Sequence, residues 1–197
     1  MRPVYDSFAK YYDMLFAPAE RLFLARSRRE TLSLIPDAAR TLEIGSGTGS
    51  NFQHYGNFHS PVASEVSAEM LRFAAAKTSA ILLVRADAQQ LPFTDKCFDA
   101  AFATLVFCSI TEPERAFSEI IRVVRPGGTV VLLEHVRPDG VLGRFFDALN
   151  IATSALIDDH FNRRTALTAE ECGLEVIELR RKFAGIINLI VCRVPSA

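Results

Sequence analysis

The chain has 197 residues and a formal charge of −1, a length that suits one domain with a small elaboration. Hydrophobic residues make up 49% of it and charged residues 23%, a balance that excludes general disorder and provides a core. With a pI of about 6.4 there is no basic field to hold a polyphosphate backbone, which excludes general nucleic-acid binding.

In chain order, residues 19–34 predict a helix. Leu22, Ala25, Arg29 and Leu32 lie near one stripe, Leu24, Thr31 and Ile35 flank it, and Pro36 stops it. Short apolar runs then alternate with helical stretches. Strands are predicted at 41–44, 61–66, 80–84, 98–104 and 129–135. Helices are predicted at 68–77, capped by Ser67, and at 112–124, ending at Pro126-Gly127-Gly128. The spans 141–157 and 168–172 also read as helical, and Gly173 closes the second. Two final strands cover 175–179 and 186–193.

Strict alternation implies an α/β fold, a doubly wound, mostly parallel seven-stranded sheet with helices on both faces. The last two strands are joined by a turn at Ala184-Gly185, too short for a parallel crossover, so they form an antiparallel hairpin. The whole reads as one domain, with a helical cap over 1–36 and a helical insertion over 137–165. The four cysteines, 97, 108, 172 and 192, form no CxxC pair. They read as buried free thiols, which, with no apolar signal core after Met1, fits a cytoplasmic protein. No metal-ligand spacing occurs. The longest apolar stretch, 141–157, is interrupted by Arg144, Asp147 and Asn150 and is too short and polar to span a bilayer.

The chemistry concentrates after the first strand, in Leu42-Glu43-Ile44-Gly45-Ser46-Gly47-Thr48-Gly49-Ser50-Asn51. Glycines there allow a sharp turn and close approach to a ligand. The dinucleotide pattern GxGxxG needs a third glycine at 50, which is Ser; Gly45, Gly47 and Gly49 give GxGxG instead. Glu43 would repel a pyrophosphate but suits a ligand with an ammonium and a sulfonium, such as S-adenosylmethionine (SAM). Glu65 ends strand two, where a carboxylate accepts both ribose hydroxyls, and Asp87 follows strand three, within reach of an adenine amine.

These stretches resemble the class I SAM-dependent methyltransferases: YDSFAKYYD (5–13), LEIGSGTGSN (42–51), SEVSAEML (64–71), ADAQQLPFTDKCFDAAF (86–102) and IIRVVRPGGTVVLLEHV (120–136). Within them the chain is most similar to small bacterial phospholipid N-methyltransferase-like, type 11 proteins. GTGSNFQHY (47–55) and HFNRRTALTAEECGLEV (160–176) support that. The resemblance implies that Gly45, Ser46, Gly47 and Gly49 wrap the methionine end of SAM, and that Glu65 holds the ribose with Val66 beside it. It places Asp87 and Ala88 at the adenine, Met70 and Leu91 near the base, and Thr104 and Leu105 along the methionine. Tyr5 and Tyr12 fall in a helix that covers the cofactor in this group. Glu65 replaces the more frequent Asp.

The implied reaction is methyl transfer to a small-molecule or lipid-like acceptor, such as a phospholipid head-group amine; a thiol or a quinone is the alternative. His135, ending strand five, and His160, between acids, are the candidate general bases. The helix 141–157, with Phe145 and Phe146, reads as a core helix, a lid over an apolar acceptor, or a peripheral membrane contact. Oligomeric state is not legible. Two other classes compete: a nicotinamide oxidoreductase, disfavoured by Ser50, Glu43 and the terminal hairpin, and a non-catalytic SAM-binding protein.

Overall fold

The computed structural model describes Met14, Glu20, residues 24–135 and residues 164–196. Its centre is a seven-stranded sheet of order β3-β2-β1-β4-β5-β7-β6. The strands are β1 Arg40–Ile44, β2 His59–Glu65, β3 Leu82–Arg85, β4 Phe98–Thr104, β5 Val124–His135, β6 Glu175–Lys182 and β7 Ile187–Arg193. The first five run parallel, and β7 lies antiparallel between β5 and β6. This is the predicted α/β sheet with its terminal antiparallel pair. The strand order reverses between β1 and β4, which opens a crevice at their carboxyl ends.

Four helices are described: α1 Ala25–Ser33, α2 Ala68–Ala75, α3 Pro113–Val123 and α4 Thr165–Glu171. Helix α3 forms because Pro113 starts it with a preset φ. Ala116, Phe117, Ile120 and Val123 then fall on one face, and all four are fully buried. With α4 it covers one side of the sheet, over Leu42, Ile44, Ala101, Ala103, Leu132 and Ile190. The other side packs Leu24, Leu32 and Ile35 against Phe102, Val131, Leu133 and Leu189. Each such large side chain contributes about 1.5–3 kcal/mol through burial. Helix α2 starts where Ser67 was expected to cap it, its hydroxyl accepting from the Met70 N–H at 3.1 Å.

Three expectations are corrected. The buried face of α1 is carried by Ser27, Arg28, Thr31 and Leu32, and Arg29 is exposed. The stripe turned by one residue because Arg28 finds buried polar partners that periodicity alone does not register. The Pro126-Gly127-Gly128 segment does not precede strand five but lies inside it: Phe98 pairs with Val124 and Ala100 with Thr129, so the stretch bulges out of register. The thiols divide evenly. Cys108 and Cys192 are buried, and burial pushes Cys192 up to about 12, whereas Cys97 and Cys172 are half-buried. Among the described residues no helix is long and apolar enough to cross a membrane, and no cluster of metal-ligand side chains occurs. Tyr5, Tyr12, His160 and the predicted helix 141–157, with Phe145 and Phe146, lie outside the described residues.

Candidate cofactor site

The crevice is floored by the turn that follows β1. Gly45 takes φ +66°, and a Cβ there would sit 2.6 Å from both γ-carbons of Val106. The turn and the loop after β4 therefore touch through a position only glycine can fill. Gly47, at φ +55°, is the opposite case, because nothing lies within 4 Å of where its Cβ would be. Beside it the Ser46 hydroxyl is buried and has no hydrogen-bond partner. An orphaned buried hydroxyl next to open space is a site shaped for a polar ligand.

Glu65 closes one wall. It is 9% exposed, and its two oxygens accept from the Gly47 N–H at 3.0 Å and the Ser67 N–H at 2.8 Å. The carboxylate thus pins the turn to the end of β2. Val66, next in the chain, is 43% exposed, a large apolar side chain left uncovered at the mouth of the site. Met70 and Leu91 are buried, and Asp87 is exposed with its carboxylate held by the Gln89 backbone and side chain. Ala88 is half-buried. The structure thus brings Gly45, Ser46, Gly47, Gly49, Glu65, Val66 and Asp87 to one sheet edge.

Glu43 sits lower than the sequence suggested. It is fully buried, and its oxygens accept from Asn51 Nδ2 at 2.5 Å and from the Tyr55 hydroxyl. Burial raises its carboxyl above the ordinary range, although Tyr55 and Asn51 favour the charged form; burial next to this acid also raises Tyr55. A raised carboxyl favours the neutral form in the fold. Its contribution to stability is therefore full below the ordinary carboxylate range and is lost as pH rises through the raised value. We expect Glu43→Gln, whose side chain does not ionise, to gain on the wild type in melting temperature as pH goes from about 4 to about 8. A constant offset between the two melting curves would contradict a raised carboxyl.

A second wall is the loop after β4. Thr104 is 5% exposed and bonded to Asn51 and Arg28, and Leu105 holds φ +60°, a conformation rare for a leucine. That backbone is over-determined: Leu105 N–H donates to the Leu133 carbonyl at 2.7 Å. The fully buried Glu134 accepts from Val106 N–H at 3.1 Å and Phe107 N–H at 3.2 Å. His135 follows at the end of β5, half-buried. Arg28, Asn51, Tyr55 and Glu134 were not singled out from the sequence. The one available signal was a carboxylate in the apolar run Val130–His135.

Residues 42–132 match the family described as a methyltransferase domain. A demethylmenaquinone methyltransferase of Renibacterium salmoninarum is 29% identical over 142 residues, 68% of this chain and 58% of the relative. A phosphatidylethanolamine N-methyltransferase of Cereibacter sphaeroides is 34% identical over 118 residues, 57% of this chain and 58% of the relative. The chain thus spans little more than half the length of these curated relatives. In fold it is similar to a SAM-dependent methyltransferase of Thermotoga maritima, with a TM-score of 0.75 and 21% identity over 97% of this chain and 98% of that one. Residues 42–132 thus match a methyltransferase domain, and the seven-stranded sheet that carries the glycine turn has the fold of SAM-dependent methyltransferases.

Proposed function

We propose that the protein transfers the methyl group of SAM to a small, lipid-like acceptor, with a phospholipid head-group amine as the first candidate. The observation that carries this is the orphaned Ser46 hydroxyl beside the open space over Gly47, with the Glu65 carboxylate at its edge. These groups fit SAM: donors and small residues for its amino-acid end, a carboxylate for its ribose, and exposed Val66 for its base. Bound there, SAM supplies a methyl group activated by a sulfonium, which an acceptor takes by in-line displacement. The chain's part is to hold that group and the acceptor in line and to exclude water. His135, at the same edge, is the group we assign to receive a proton from a protonated acceptor. The lipid-like acceptor is favoured because the Renibacterium and Cereibacter relatives are both named for molecules with long apolar tails. A quinone carbon or a thiol is the alternative acceptor.

The test is a screen with labelled SAM against ethanolamine phospholipids, quinols, thiols and small amines, with incorporation into a lipid expected. Turnover of thiols or small amines alone would overturn the lipid assignment. Calorimetry should give about one S-adenosylhomocysteine site per chain. Glu65→Gln should weaken it by about 1–3 kcal/mol, through lost charge-assisted hydrogen bonds. An effect confined to the acceptor KM would contradict a ribose role.

A further inference from the structure

Arg28 is the least expected residue near the site. It is a cation on the buried face of α1, 6% exposed. Its Nε donates to both oxygens of Glu20 at 3.0 Å. Its Nη1 reaches under the glycine turn to Asn51 Oδ1 at 3.0 Å and Thr104 Oγ1 at 2.5 Å. Asn51 Nδ2 donates to the same Thr104 oxygen at 2.8 Å and to Glu43.

The donor and acceptor inventory fixes every proton in this cluster. A guanidinium only donates, so the Asn51 atom it meets is the carbonyl oxygen and the other is the amide nitrogen, which also only donates. Thr104 Oγ1 therefore accepts twice, and both its lone pairs are used. Its own proton can point neither at Arg28 nor at Asn51. A hydroxyl that receives two donors, one of them charged, is also polarised into a stronger donor itself.

We propose that Arg28 is a positioning residue: with Asn51 it fills the acceptor capacity of Thr104 and turns the Thr104 hydroxyl proton toward the carboxylate of bound SAM's amino-acid end. This rests on the SAM reading above. It gives α1 a role in cofactor selection, because an anionic group beside Thr104 meets a committed hydroxyl donor that Arg28, itself paired with Glu20, holds in place. Nucleosides that lack the amino-acid end gain nothing from the arrangement.

Two ligands separate this role from a structural one. S-adenosylhomocysteine carries the amino-acid end, and 5′-methylthioadenosine lacks it. Calorimetry on the full chain with Arg28→Met and Thr104→Val should show S-adenosylhomocysteine weakened about tenfold or more, with methylthioadenosine unchanged. Thr104→Ser, which keeps the hydroxyl, should bind both ligands like wild type, as should Arg29→Met, which removes an exposed arginine one residue away. If Arg28→Met does not fold, the Thr104→Val and Thr104→Ser pair decides. Equal loss of both ligands, or no loss of either, overturns the proposal. Wild-type protein that binds neither ligand sinks the SAM reading instead.

Discussion

Gly47→Val is expected to abolish S-adenosylhomocysteine binding while leaving the sheet folded. The residue holds φ +55°, and no atom lies within 4 Å of a Cβ built there. A Cβ there meets no protein atom, so the valine side chain projects into the open space the proposed cofactor needs. The left-handed backbone strain on a branched residue costs about 1–3 kcal/mol. In a chain of this length that lowers the melting temperature by only several degrees, at about 2–4 °C per kcal/mol. Binding should weaken by a factor of at least about 100, beyond calorimetric detection, because excluded volume is not offset by any new contact. The check is calorimetry beside a thermal melt of the same sample. Retained affinity would mean that the ligand approaches elsewhere on the sheet edge.

Glu134→Ala should be the most destabilising single change at the site. The carboxylate is fully buried and accepts from two successive backbone N–H groups, those of Val106 and Phe107. Alanine leaves the buried Phe107 donor and the half-buried Val106 donor without that acceptor, and each such loss costs up to about 1–3 kcal/mol. It also removes a support of the strained Leu105 backbone and of Val106, whose side chain rests against Gly45. We expect a loss of roughly 2–5 kcal/mol by denaturant titration, and weaker S-adenosylhomocysteine binding in the fraction that stays folded. Glu134→Gln retains one acceptor oxygen and should lose about half as much. Equal stability of the alanine variant would show that the loop is held by its own packing.

The resemblance pointed to the methyltransferase domain that residues 42–132 match, but several elements were legible without it. The apolar run of β4 gave the bounds Phe98–Thr104 that the structure has, because a strand buried on both faces is a continuous hydrophobic segment. Ser67 announced the start of α2 because an N-cap is a local interaction. The antiparallel terminal pair followed from chain length, since a short turn cannot carry a crossover. The acids Glu65 and Asp87 could be placed together because one ends a strand and the other follows the end of its neighbour, and parallel strands end at one edge.

What the sequence alone determined is therefore what local patterning and chain length control: the sheet, its helices, the antiparallel end and the glycine turn at the crevice. Only the tertiary structure decided which polar groups meet. Arg28 and Thr104 are 76 positions apart, and Glu134 lies 28 positions from the Val106 N–H it holds. To hydrophobic periodicity a buried charge is a flaw in an apolar stripe, so the stripe of α1 was drawn through Arg29 and not Arg28, and Glu134 was passed over. Glu43 was matched to a ligand when Asn51 and Tyr55 already held its oxygens. A buried charge is tolerable only where its partners converge, and that convergence is set by how strands and helices pack, which no local pattern encodes.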